Sequence, residues 1–386
     1  MKIAFFIGGL NIKGGYERIV VDKANTLCKQ KDIEVEIICT HTNYDNNSVF
    51  KIDPRVNIRS INQQFHPVKQ LYGLGFPIIA IQYFLWLKRH TKTCRKVVID
   101  NKYDIVVVPM HDPTNLIGIK NCVSVYESHF LRTAYENNCL IPWFRRRKNV
   151  KYASKADVFV CLTDGDACNW PEAHNIRIIP NFTNIKPVAT YNPEIKRVIA
   201  IGRLEHEKGY DILINAWKLI KVNYPDWTLE IYGEGKEHFM LQELICSHGL
   251  TDSITLKGNT NNVPEVLSNA SIFVSSSRNE SFGLVLIEAF SCGLPIVSFD
   301  CPYGPGEIVT DGLNGILTKY KDLTDNQRAL TLANSLMVIM GDINLRKQMS
   351  TEAIKRAMDF TEDSYLENQM LFFKDIVKNN AINTLK

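Results

Sequence analysis

Short runs rich in valine and isoleucine alternate with helix-length amphipathic segments along nearly the whole chain, and that alternation leaves few folds open. The first set is KIAFFIG (2–8), EVEIICT (34–40), DIVVVPM (104–110), NCVSVYES (121–128) and DVFVCLT (157–163). A second set follows: RVIAIGR (197–203), TLEIYGEG (228–235), SITLKGN (253–259), SIFVSSS (271–277), LPIVSFD (294–300) and NGILTK (314–319). Continuous apolar strands separated by helices are buried on both faces, which means parallel sheets covered by helices. The pattern therefore predicts two doubly wound α/β domains. Ligands of such sheets bind at the carboxyl ends of the strands, and a cleft between two such domains is the expected active site.

The two sets are separated by NFTNIKPVATYNPEI (181–195), which carries Pro, Asn and Thr without periodicity. Expected boundaries are an N-terminal domain over 1–182, a linker over 183–195 and a C-terminal domain over 196–360. The tail 361–386 reads as a helix, with Tyr365, Met370, Phe373 and Ile376 at helical spacing. It would cap the second domain or pack back on the first. A length of 386 residues agrees with two domains.

Composition is that of a globular protein, 45% hydrophobic and 22% charged, and a net charge of +4 gives no reason to expect a nucleic-acid partner. The 10 cysteines include no CxxC pair, so they read as reduced thiols of a cytoplasmic protein, with no zinc site. MKIAFFIGGL is too short an apolar stretch for a signal peptide and reads as a first buried strand. LYGLGFPIIAIQYFLWLKRHTKTCRK (71–96) is interrupted by Gly73, Gly75, Pro77 and Gln82, which is poor for a span of about 20 apolar residues. Its plain reading is a long helix with a solvated basic end. The sharper alternative is a face resting peripherally on anionic membrane.

Chemistry concentrates in RNESFGLVLIEAF (278–290) and GRLEHEKGYDILINAW (202–217). In the first, a strand gives way to a loop and then to a helix opened by Gly283. The free amides of Gly283, Leu284 and Val285 would face an anion, and glycine lets a ligand come close. A helix terminus contributes only ~0.3–1 kcal/mol to an anion, so cations should assist. Arg203 and Lys208, flanking a strand-to-helix turn, are the best supply, since charge-assisted bonds contribute ~1.5–3 kcal/mol each. Their plainer reading is a solvated loop with surface ion pairs. Glu288 would lie ~7–8 Å along the helix, where a ribose diol could donate to it. It could instead be a buried carboxylate paired with a basic side chain. Glu280 precedes the helix, on the far side of any phosphate bound there.

These stretches resemble the retaining GT-B glycosyltransferases of family 4. ESFGLVLIE matches that family's Glu-x7-Glu motif, and GRLEHEKGYDILINAW looks like its phosphate-binding turn. GGLNIKGGYERIVVDKANTL (8–27) is similar to its N-terminal glycine-rich loop, and DCPYGPGEIVTDGLNGIL (300–317) to its late loop. The resemblance implies two Rossmann-like domains facing across a cleft. It also implies a nucleotide-activated, uridine-linked sugar donor, a saccharide or lipid-linked saccharide acceptor, and retention at the anomeric carbon without a metal or other cofactor. Carried over residue by residue, Glu288 looks like the ribose ligand. Arg203 and Lys208 look like the diphosphate ligands, with the amides near Gly283, Leu284 and Val285 also on phosphate. Glu280 looks like the residue at the donor sugar's hydroxyls. Gly14 and Gly15 would let backbone approach donor or acceptor. His129, in VYESHFLR (125–132), matches a histidine that faces the reacting sugar, with His111 in second place.

No carboxylate is evidently placed as a covalent nucleophile, so the resemblance points to same-face attack assisted by the departing phosphate. Asp164 and Asp166 form an Asp-x-Asp, which elsewhere holds a metal. In the first turn of a helix they complement its dipole instead. Two other readings compete: a sugar-nucleotide epimerase on the same fold, and a non-catalytic sugar-nucleotide binder.

Overall fold

The computed structural model describes residues 1–11, 14–41, 48–65, 76–132, 142–188 and 191–384. The chain divides into two compact units: Met1–Ile179 together with Leu366–Lys386, and Pro180–Tyr365. The first contains β1 (Lys2–Ile7), α1 (Gly15–Leu27), β2 (Glu34–Cys39), β3 (Asn57–Ser60), α2 (Phe76–Asn101) and β4 (Ile105–Pro109). It continues with β5 (Val123–Glu127), α3 (Pro142–Lys155), β6 (Val158–Cys161), α4 (Asp164–Ala167) and β7 (Ile176–Ile178).

The second unit runs through β8 (Arg197–Ile201), a 3-10 turn (His206–Lys208), α5 (Tyr210–Lys221), β9 (Thr228–Tyr232), α6 (His238–Ser247) and β10 (Ile254–Gly258). After these come α7 (Val263–Ser268), β11 (Ile272–Ser275), α8 (Leu284–Ser291), β12 (Ile296–Phe299), α9 (Pro305–Ile308) and β13 (Gly315–Thr318). It closes with α10 (Asp325–Gly341), α11 (Ile343–Ala357) and the start of α12 (Glu362–Thr384).

Among the described residues the first sheet has seven strands in the order β3-β2-β1-β4-β5-β6-β7, and the second has six in the order β10-β9-β8-β11-β12-β13. All strand pairs are parallel, with Ile3 of β1 in register with both Val35 and Ile105. These are two Rossmann-like α/β domains of the kind found in GT-B proteins. The cause is visible in β1, β4, β5 and β6, whose residues are almost all buried because helices cover both faces of the sheet. In the second unit Leu213, Trp217, Leu229, Ile231, Leu332 and Leu336 belong to one core.

Several expected boundaries differ from what is seen. Strands β3 and β7 carry no apolar run: NIRS and IRI are half-exposed at the sheet edges, so hydrophobic patterning cannot find them. The stretch 183–195, expected as a linker, is tied into the second unit. Val188 donates its amide to Ser291 O, Tyr191 its hydroxyl to Ser271 O, and Arg346 reaches Pro193 O. Its irregular composition reflects a strap of loop with backbone and side-chain polar groups that bond to neighbouring elements. The second unit thus starts at Pro180 and ends at Tyr365, wider than the expected 196–360. Of the apolar stretch 71–96, residues 71–75, with Gly73 and Gly75, lie outside the described residues, and the remainder belongs to α2.

Candidate functional site

In the second sheet the strand order reverses between β8 and β11, the kind of place where open α/β sheets bind ligands, and the loops leaving their carboxyl ends meet there. The loop after β8 carries the His206–Lys208 turn and ends at Gly209, whose φ of 63° is left-handed. A Cβ on Gly209 would fall 2.1 Å from Ser276 O, on the loop after β11, so only glycine permits this approach. Ser276 Oγ donates to Lys208 O at 2.8 Å, which fixes the two loops together.

Arg278 completes the stitching. It donates to His206 O and Asp211 Oδ1 at 2.8 Å each, to Asp211 Oδ2 at 2.7 Å and to Asp325 Oδ2 at 2.8 Å. Sequence reasoning misses Arg278, which reads as part of a loop. Its adjacency to the Glu280 motif, with Asp211 in the partner motif, is the available signal. Replacing Arg278 with methionine is expected to destabilise the second unit by about 1–2 kcal/mol, less than a fully buried ion pair because both carboxylates are partly solvated. Thermal unfolding with and without nucleoside diphosphate measures this, and an unchanged midpoint would rule out the stitching role.

The arrangement brings Lys208 and Glu280 together: Nζ lies 2.5 Å from Glu280 Oε2, with both side chains mostly buried. Ser277 Oγ is 3.4 Å from the same oxygen. Glu280 is held from behind by the loop after β12. Its amide donates to Pro302 O at 2.9 Å, and its carbonyl accepts from Tyr303 N at 2.7 Å and Gly304 N at 2.9 Å. Gly304 is required for this: a Cβ there would meet Phe282 O at 2.0 Å.

Gly283 caps α8 with a φ of 97°, and Leu284 and Val285 form the first helical positions. Glu288 is buried in the second turn of α8. Arg203 is not drawn into the Lys208–Glu280 contact. Its side chain is 67% exposed and pairs with Glu207 at 2.5 Å, one helical turn away in sequence. Of the two cations expected to act together, the structure brings only Lys208 to Glu280.

In the first unit, Gly14 caps α1 in an extended conformation and Gly15 opens the helix, while Ile12 and Lys13 of the glycine-rich loop lie outside the described residues. Arg18 bridges Asp22 at 3.7 Å, a surface pair along the helix. His129 follows β5 and bonds Glu127 Oε2 through Nε2 at 2.8 Å. Glu127 in turn receives Lys23 Nζ on its two oxygens at 2.9 and 3.0 Å, with the Lys23 side chain 1% exposed.

Burial alone would raise the Glu127 carboxyl, but the Lys23 ammonium and the His129 ring outweigh it and hold it at about 2. Burial, partly opposed by Glu127, depresses the His129 imidazole below its ordinary value. Near neutral pH the pair is thus carboxylate and neutral imidazole. An ionised carboxylate only accepts, so Nε2 carries the proton and Nδ1 is the lone-pair nitrogen. Tyr16 packs edge-on to both candidate histidines, 4.7 Å from His129 and 5.0 Å from His111 between ring centroids, and donates to Phe6 O at 3.1 Å.

Asp166 is buried, its amide donates to the capping Thr163 hydroxyl at 3.1 Å, and its Oδ1 accepts from the Trp170 indole at 3.3 Å. These contacts give it a structural task at the start of α4. No cluster of His, Cys, Asp or Glu among the described residues could hold a metal ion.

Comparison with known proteins follows the same lines. Residues 181–356 match the family model "Glycosyl transferases group 1". An uncharacterized glycosyltransferase of Haemophilus influenzae is 28% identical over 95% of this chain and 98% of its own length. The GtfA subunit of a UDP-N-acetylglucosamine–peptide N-acetylglucosaminyltransferase of Streptococcus agalactiae is 32% identical over 48% of this chain. Only 36% of that longer protein is spanned. The crystal structure of a point mutant of S. aureus TarM, in complex with Fondaparinux, alpha-GlcNAc-glycerol and UDP, superposes with a TM-score of 0.75 at 18% identity, covering 96% of this chain and 99% of that one. The second unit therefore matches the glycosyl transferases group 1 model, and the chain as a whole has the fold of TarM, two Rossmann-like domains of the GT-B kind.

Proposed function

We propose that this chain is a retaining, metal-independent transferase. It moves a hexose or N-acetylhexosamine from a UDP-linked donor to a glycan or lipid-linked saccharide during surface-polysaccharide synthesis, on the cytoplasmic side where nucleotide sugars are made. The observation that carries the reading is the Lys208–Glu280 pair at the switch point of the second sheet, beside the glycine-opened start of α8. The UDP in the TarM complex and the donor in the GtfA name support uridine as the base.

Lys208 is a cation already poised where a diphosphate would arrive, and a dianionic phosphate competes well with one carboxylate for its ammonium. Once Lys208 turns to phosphate, Glu280 accepts from sugar hydroxyls instead. The amides of Gly283, Leu284 and Val285 add to phosphate binding, and Glu288 accepts from the ribose diol. In the reaction the bond between the anomeric carbon and the β-phosphate oxygen breaks, with its electron pair leaving on phosphate. The acceptor hydroxyl bonds to the same face of that carbon and gives its proton to the departing phosphate. Stabilising that leaving group is the main catalytic task, and Lys208 with the helix amides performs it without a metal.

Incubation with UDP-glucose, UDP-galactose and UDP-N-acetylglucosamine tests this, with and without oligosaccharide or lipid-linked acceptors and in the presence of EDTA. Acceptor-dependent release of UDP, insensitive to EDTA, with an α-linked product by proton NMR, is the expected result. An isomerised sugar nucleotide formed without acceptor, or a β-linked product, would contradict it.

A further inference from the structure

A helix that packs one side against a sheet should turn a polar side to water. The inward side of α2 is built from Trp86, His90, Cys94 and Val98, four residues apart; the last three are buried, and Trp86 donates to Gln63 O at 3.0 Å. The outward side is not uniformly polar. Ile81, Phe84 and Leu85 are 59%, 40% and 63% exposed, at spacings that put them on one stripe. The same stripe continues with exposed Lys88, Arg89, Lys92 and Lys96. No acidic residue interrupts it before Asp100.

A second basic run lies on α3, where Arg146, Arg147, Lys151 and Lys155 are exposed and the helix sequence contains no acid. Cys94 and Val98 of α2 and Tyr152 and Ala153 of α3 belong to one core cluster. No described helix is long and apolar enough to cross a membrane.

We propose that the outward face of α2 docks on the surface of an anionic lipid bilayer. Ile81, Phe84 and Leu85 would enter the acyl boundary while the following cations lie among the headgroups. The stripe from Ile81 to Lys96 is about 22 Å long, long enough to lie in the plane of the interface. Apolar residues at one end exclude a purely electrostatic partner, and unbroken positive charge over the rest opposes burial against a second copy of the same face. Each cation near an anionic surface adds about fivefold to partitioning, and the gain falls with salt. Docking of this kind would hold the enzyme where a lipid-linked acceptor is found, yet it does not depend on the sugar transferred.

The test is co-sedimentation of the full chain with phosphatidylcholine vesicles, with and without phosphatidylglycerol, over a range of salt. Binding only to the anionic vesicles, weakened by salt, is expected. Leu85→Asp and the double variant Lys88→Glu with Lys92→Glu should each lower partitioning at least about tenfold. UDP affinity and thermal midpoint should stay as in the parent, because these side chains are exposed. Equal binding to neutral vesicles, or binding untouched by either variant, would overturn the proposal. So would a concentration-dependent dimer that Leu85→Asp dissolves without any vesicle binding by the parent. Retention of RNA oligonucleotides lost in the charge variant but kept in Leu85→Asp, again without vesicle binding, would overturn it in favour of nucleic acid.

Discussion

Replacing Lys208 with alanine is expected to weaken binding of UDP and UDP-sugars by about 10–100-fold, the span of one charge-assisted bond of ~1.5–3 kcal/mol. The loss should tend to the upper end. Without the ammonium, Glu280 faces the incoming diphosphate as an uncompensated carboxylate, so attraction is replaced by repulsion. Glu288→Ala should also weaken donor binding, through the ribose, and should weaken UDP more than it weakens inorganic diphosphate. Lys208→Ala should leave the second unit folded, because Lys208 is no part of its hydrophobic core. Isothermal calorimetry decides. Unchanged affinity in both variants would remove the donor site from this switch point.

The second large effect concerns stability of the first unit. Lys23→Met leaves the buried Glu127 carboxylate without its main counter-charge, and breaking such a pair costs about 3–5 kcal/mol. For a unit of this size the midpoint should fall on the order of 10 °C. The double variant Lys23→Met with Glu127→Gln should recover most of the loss, because a neutral amide can still bond His129. Calorimetric scans of the three proteins test this. A single variant within about 2 °C of the parent would show that the pair adds nothing.

The same group sets a pH dependence. Glu127 is depressed from an ordinary 4.5 to about 2, so its contribution is present above about pH 4.5 and is lost as pH falls toward 2. His129 is depressed below 6.5, so the unfolded chain takes up its proton first and stability also declines as pH falls just below 6.5. Glu127→Gln should flatten the acidic limb.

The fold is legible in the sequence because the buried parallel strands have nowhere to hide: β1, β4, β8 and β11 are short apolar runs between helices. Edge strands β3 and β7 are invisible for the complementary reason, since half their residues face water. At the site, the helix opened by Gly283 and the pair of loops bearing Lys208 and Glu280 can be read from glycine placement and charge. Direct contact between Lys208 and Glu280 cannot, because they are 72 positions apart and meet only through the strand order.

Two other features depend on three-dimensional neighbours. Arg278 looks like an ordinary loop cation until Asp211 and Asp325 converge on it. Lys23 sits in the α1 helix with no local cue that Glu127, two strands over in the sheet, would bury its ammonium. Arg203, a candidate diphosphate ligand by its local placement, pairs with Glu207 on the same exposed loop.

Hydrogen exchange on the full chain, with and without saturating UDP, most directly tests whether a nucleotide donor is seated at the switch point of the second sheet. Protection should appear in two separate segments, 202–209 after β8 and 276–288 from the β11 loop into α8. Protection absent from both, or confined to the first unit, would contradict it.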